Sequence, residues 1–140
     1  MAFVKGLEEL LFHYIFQDKS DEQVMHYLNG RPMDITDEDH QTPVTSAVSA
    51  NRQSLVRRLL AAGYPMSGVG NYTAFGACMS LSDGETMEPI FRILLDHTKT
   101  VDDDFNCSFL DELGEPLTHV VCRRGTAAMI EMLKSRGMPI

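Results

Sequence analysis

A chain of 140 residues with 20 acidic and 12 basic side chains carries a formal charge of -8 at pH 7, which repels a phosphate backbone and argues against nucleic acid as a partner. With 44% hydrophobic and 23% charged residues it has the composition of one globular domain, spanning 1–140. No apolar run nears the roughly 18 residues that cross a bilayer, and Glu8 and Glu9 break the N-terminus where a signal peptide needs an apolar stretch, so a cytoplasmic or nuclear protein is expected.

In chain order, the first segment (about 1–33) carries Leu7, Leu10, Leu11, Phe12, Tyr14, Ile15 and Phe16, then Val24, Tyr27 and Leu28 before Gly30, a spacing that predicts helices. Its N-terminal helix is apolar around most of its circumference, as a buried helix is. The second segment (34–66) is the most regular. Thr42 is placed to cap a helix with Pro43 at its first position, where the missing N–H costs nothing. Val44, Ala47 and Val48 follow at helical spacing, and Asn51 can take the left-handed conformation that ends the helix. Leu55, Val56, Leu59 and Leu60 form the stripe of a second helix stopped by Gly63. Gly30-Arg31-Pro32-Met33 returns as Gly63-Tyr64-Pro65-Met66 after 33 residues, and Gly137-Met138-Pro139-Ile140 closes the chain. A fixed period of this size marks stacked units of supersecondary structure.

Thr42, Pro43, Ala47, Val56, Leu59, Leu60 and Gly63 strongly resemble an ankyrin repeat, whose pattern runs Thr-Pro-Leu-His-x-Ala, then Val-x-x-Leu-Leu, then a closing Gly. Thr45 stands where that family prefers His, and Asn51 where it prefers Gly. The third unit (67–106) is looser, with Thr73, Phe75 and Ala77 in its first helix and Phe91, Leu94 and Leu95 in its second. The fourth (107–140) has Pro116 and Leu117, then Gly125 between helices, then Met129, Ile130 and Leu133. Two insertions interrupt the period: four residues around Ser82 to Glu85, read as a longer inter-helix loop, and five between Lys99 and Gly114. The resemblance implies an all-α fold, an ankyrin-repeat solenoid of about four helix pairs linked by turn or β-hairpin-like loops.

No catalytic arrangement stands out. His13, His26, His40, His97 and His119 are scattered without an HxxxH or HExxH pair, and Gly68-Val69-Gly70 lacks the third glycine and preceding strand of a dinucleotide loop. Cys78, Cys107 and Cys122 are odd in number and form no CxxC pair, so neither a disulfide framework nor a metal site is expected; Cys78 and Cys122 read as small buried residues. Neither enzymatic activity nor a cofactor is expected.

The resemblance instead implies a non-catalytic protein-protein interaction module, an adaptor or regulatory subunit that binds through loop tips and the inner face of each first helix. Carried over by position, the candidate partner-binding residues are Asp37, Asp39 and His40 in the second unit's tip and Tyr72 in the third's. Leu81, His119 and Arg123 stand for the inner helix face, with Ser46, Ser49, Ala50, Ala77, Ser80 and Arg124 nearby. Phe109, Leu110 and Asp111 belong to the long segment TVDDDFNCSFLDELG, which mixes carboxylates with apolar residues that a merely solvated loop would not need. The acidity suits a partner with a basic or mixed apolar surface. A structural element that self-associates through its apolar terminal helices, including Ala127, Ala128, Ile130 and Met132, is the alternative.

Overall fold

The computed structural model describes residues 16–31, 35, 42–65, 74–97 and 117–136. These are helical, without a strand among them. Residues 16–18 are helical, and seven helices follow: α1 (Asp21–Leu28), α2 (Pro43–Ser49), α3 (Gln53–Ala61), α4 (Ala74–Met79), α5 (Gly84–His97), α6 (Leu117–Arg124) and α7 (Ala127–Ser135). The inter-unit loops and the expected hairpins lie outside the described residues.

The sequence around Thr42 shows why α2 and α3 form where they do. Thr42 caps α2, and Thr45 completes a reciprocal box: the Thr45 N–H donates to Thr42 Oγ1 at 3.2 Å while the Thr42 N–H donates to Thr45 Oγ1 at 2.8 Å. Thr45, a departure from the ankyrin preference, thus closes the cap itself. At the other end Asn51 adopts φ 55°, and the Asn51 and Arg52 N–H groups donate back to the Val48 and Ala47 carbonyls. α3 ends the same way, with Gly63 at φ 94° and donors Gly63 and Tyr64 reaching the Leu60 and Leu59 carbonyls. Both are left-handed terminations that satisfy carbonyls a helix end leaves free.

Packing arranges the helices in two rows. α2 pairs with α3, α4 with α5 and α6 with α7; across pairs, α2 meets α4 and α4 meets α6, while α1, α3, α5 and α7 contact one another in succession. Between the rows lies a single apolar core. Val44, Ala47 and Val48 of α2 and the expected stripe Leu55, Val56, Leu59 and Leu60 of α3 are buried, as are Phe75, Phe91, Leu94, Leu95, Leu117, Met129 and Leu133. Phe75 and Phe91 meet edge to face, ring centroids 5.8 Å apart, adding about 0.5–1.5 kcal/mol to their burial. Met79 and Met87 fill core space, and Met25 and Met132 pack partly against it.

Two sequence expectations change. The insertion at Ser82 to Glu85 is not simply a longer loop: α5 begins at Gly84 and runs 14 residues against nine in α3 and α7. The extra residues become an additional helical turn because Asp83 caps it, accepting the Thr86 N–H at 2.8 Å, and because Met87 enters the core. Cys122 is exposed, whereas Cys78 is buried as expected and donates its thiol to the Met87 carbonyl at 3.5 Å. On α6, Leu117, Val120 and Val121 occupy the buried face and turn Cys122 outward.

Polar contacts join α1 to α3 and α5 to α7 in the second row. Arg52 bridges backward, donating to Asp21 Oδ1 at 2.8 Å and to the Phe16 carbonyl at 3.1 Å, and the Ser54 hydroxyl binds the other Asp21 oxygen. Arg58 pairs with Glu22 at 3.0 Å, and Arg136 with Asp96 at 2.7 Å. Thr126 caps α7 and donates to Glu88 of α5 at 2.5 Å. At that seam α5 must start with glycine: a Cβ on Gly84 would lie 2.3 Å from Thr126 Cγ2.

Replacing Gly84 by Ala is expected to destabilise the domain by about 1–3 kcal/mol through overpacking, because Thr126 cannot rotate its methyl away and keep its cap. T126S retains the hydroxyl and removes the methyl, so the G84A/T126S double variant should recover most of that loss in urea denaturation; no recovery would refute the steric account. A double-mutant cycle should give Asp21–Arg52, whose side chains are 18% and 17% exposed, a coupling of about 1–2 kcal/mol. Glu22–Arg58, at 74% and 45% exposed, should give no more than about 0.5 kcal/mol.

The Asp83 carboxylate is held below its ordinary value of 3.8, first by the Thr86 N–H and then by the Thr86 hydroxyl and Glu85 N–H. Its contribution to stability is therefore complete above the unfolded-state value and is lost as pH falls through the lower folded one. NMR titration should show the depressed value, and D83N should remove this part of the acid dependence.

Candidate functional site

The surface to test is the edge formed by the first row, α2, α4 and α6. Its exposure is uneven. In α2 every residue from Pro43 to Val48 is buried, and in α4 every residue from Ala74 to Met79 is buried. Helices packed this closely favour small residues, here Ser46, Ala47, Gly76 and Ala77. Only their C-terminal ends emerge, at Ser49 and Ser80, and the Ser80 hydroxyl is turned back onto the Gly76 carbonyl at 2.9 Å.

α6 differs. Its buried positions are Leu117, Val120 and Val121, and it exposes His119, Cys122, Arg123 and Arg124. His119 and Arg123 are four residues apart and lie on one face. Gly125 then lets the chain turn tightly into α7: its N–H donates to the Val121 carbonyl at 2.8 Å, and a Cβ there would fall 2.8 Å from that same oxygen. The open part of the edge is therefore cationic and hydrogen-bonding.

Of the inner-face positions expected from the sequence, His119, Arg123, Arg124, Ser49 and Ser80 are exposed and Ala50 is half-buried. Leu81 is 9% exposed and belongs to the apolar core, a correction to its expected role as a contact residue. It closes the gap behind α4, where its N–H donates to the Cys78 carbonyl at 3.1 Å. Ala77 and Ser46 are buried too, and the Ser46 hydroxyl has no hydrogen-bond partner. Asp37, Asp39, His40, Tyr72, Phe109, Leu110 and Asp111 lie outside the described residues.

No family model matches the chain, and no curated protein or solved structure is significantly similar to it. The site rests on its own geometry.

Among the described residues no group of three or more His, Cys, Asp or Glu side chains is placed to hold a metal ion, and no helix is long and apolar enough to cross a membrane. His26, His97 and His119 lie on three different helices, α1, α5 and α6. The outer face of the second row, away from the loop tips, was not among the expected sites. A signal was present there: aligning Leu59-Leu60 with Leu94-Leu95 puts Arg57 and Arg92 at one and the same position of successive helices.

Exposure separates the two described thiols. Under native conditions Cys122 should be alkylated by a small maleimide while Cys78 reacts only on unfolding, which peptide mapping by mass spectrometry will read; equal native labelling of both would contradict the packing of α4.

Proposed function

We propose that this chain is a non-catalytic protein-protein interaction domain of the ankyrin type, an adaptor or regulatory module that engages its partner along the edge of the first helices. The reading is carried by one observation: successive helix pairs pack in two parallel sets of contacts, first helix on first helix and second on second. Repetition of one unit yields an extended surface whose side chains can vary without disturbing the core. The Thr-Pro cap, the left-handed Asn51 and Gly63, and the buried stripes agree with the ankyrin pattern in the second unit.

The partner surface assigned by this reading combines α6, through His119, Arg123 and Arg124, with the acidic and apolar segment 100–114. A partner with a mixed surface, offering apolar side chains and both signs of charge, suits it. Binding energy in such interfaces concentrates in a few residues, so the segment's Phe109 and Leu110 and the helix's Arg123 are the anchors of the proposal.

Affinity capture compares the intact domain with two variants, one in which residues 102–113 are replaced by a short Gly/Ser turn, the other H119A/R123A. Partners retained by the intact domain should be lost from the first and weakened at least tenfold in the second. Light scattering at several concentrations tests the alternative of self-association, which Ala127 and Ala128, exposed on α7, keep in view: a monomer throughout supports the adaptor, whereas assembly abolished by charged substitutions at those alanines replaces it.

A further inference from the structure

The seams of the second row are not alike. Between α1 and α3, Asp21 and Glu22 accept hydrogen bonds from Arg52, Ser54 and Arg58. Between α5 and α7, Glu88 and Asp96 accept from Thr126 and Arg136. In both, the earlier helix supplies carboxylates and the later one supplies donors. At the α3–α5 seam the earlier helix, α3, supplies no carboxylate. Where α5 presents Asp96, α3 presents Ala61, on the same alignment of Leu94-Leu95 with Leu59-Leu60.

A hollow of about 280 Å³ opens at this seam. Its apolar lining includes Leu60 and Ile93, 5% and 7% exposed, and its polar lining is Arg57, Arg92, Asp96 and His97. Arg57 and Arg92 are exposed and have neither an ion pair nor a hydrogen bond among the described residues. Asp96 is already engaged by Arg136. A smaller hollow of about 100 Å³ between α5 and α7 shares Arg92 and Asp96 with the first, so the two adjoin as a shallow groove across three helices. In a chain of net charge -8, two unpaired arginines at one repeated position flank a depression with an apolar floor at Leu60 and Ile93 and a polar rim.

We propose that this groove is a docking site for an acidic peptide segment of a partner protein, two carboxylates meeting Arg57 and Arg92 and one apolar side chain entering the hollow over Leu60 and Ile93. Three features fix the occupant. Arginine binds carboxylates through paired donors, which a partner can satisfy because this seam does not. The two arginines stand on adjacent helices, whose axes pack about 8–10 Å apart; an extended peptide advances about 3.3 Å per residue, so carboxylates two or three residues apart match them. The hollow, at about 280 Å³, lies just below the roughly 300–1,000 Å³ typical of ligand sites, a volume for a side chain rather than a cofactor. The surface lies on the second row and is independent of the first-row edge proposed above.

The test uses the full chain and a fluorescein-labelled peptide with a Glu-Leu-Ser-Glu core in Gly/Ser flanks, read by fluorescence anisotropy. Saturable binding is expected, weakened at least tenfold by R57E/R92E, by replacement of the peptide's Leu with Ser, and by raising salt from 0.05 to about 0.5 M. R58E/K134E makes the same change in net charge away from the hollow and should leave the affinity within about twofold. Circular dichroism confirms folding, and R57Q/R92Q serves if the charge reversal does not fold. The inference is overturned by absence of saturable binding, by equal losses in R57E/R92E and R58E/K134E, by equal affinity for a Lys-Leu-Ser-Lys peptide, or by a preference for anionic lipid vesicles over the peptide. It is also overturned by concentration-dependent self-assembly that R57E/R92E abolishes, since a second copy would then be the occupant. H119A/R123A separates the two faces: loss of the peptide there, with R57E/R92E unaffected, moves it to the first-row edge.

Discussion

No helix pair in this chain can hide its own apolar surface, and the rest of the structure follows from that shortage. α2 and α4 are buried along almost their entire length, a condition that a two-helix unit cannot meet alone. Each therefore needs a preceding and a following unit, and the contacts of α4 with α2 on one side and α6 on the other supply them. Close approach in the first row demands small residues, which is why Ser46, Ala47, Gly76 and Ala77 occur where a free-standing helix would carry longer side chains. Most of the larger apolar residues sit in the second row, where Leu55, Val56 and Leu59 of α3 and Ile90, Phe91 and Leu94 of α5 form the wall of the core, with Phe75 and Met79 of α4 reaching it from the first.

Polar chemistry then fixes how neighbouring units sit. Groups at helix starts make inter-unit contacts: Thr126 caps α7 and reaches Glu88 of α5, while Arg52, just before α3, holds both Asp21 of α1 and the Phe16 carbonyl. At Thr126 one side chain with two duties couples local helix formation to stacking, so neither is readily altered alone. The α3–α5 seam is held by apolar packing, and its outer face keeps arginines that the other seams would have neutralised.

Among the described residues, exposed arginines occur on both rows, in different settings. The first-row edge offers His119, Arg123 and Arg124. The second row offers a repeated arginine over an apolar floor. A repeat architecture favours such a division because surface side chains of one unit can change while the buried stripe beneath them stays constant.

Much of the scaffold was legible in order along the chain. The Thr42-Pro43 start, the left-handed Asn51 and Gly63, and the stripes ending at Leu60 and Leu95 depend on backbone preferences and helical spacing, which are local and so are written in adjacent residues. The outward turn of Cys122, the burial of Leu81 and the extra turn of α5 were not legible. Each depends on which face a neighbouring unit covers or on whether Asp83 caps at that point rather than one turn later. The sequence by itself determined the helix pairs, the Thr42 cap and the left-handed terminations at Asn51 and Gly63. Only the tertiary structure decided which carboxylates were consumed at the seams and left Arg57 and Arg92 unpaired over a shared hollow, because charge pairing and concavity arise between residues some 35 positions apart in sequence, brought together by packing that no local pattern encodes.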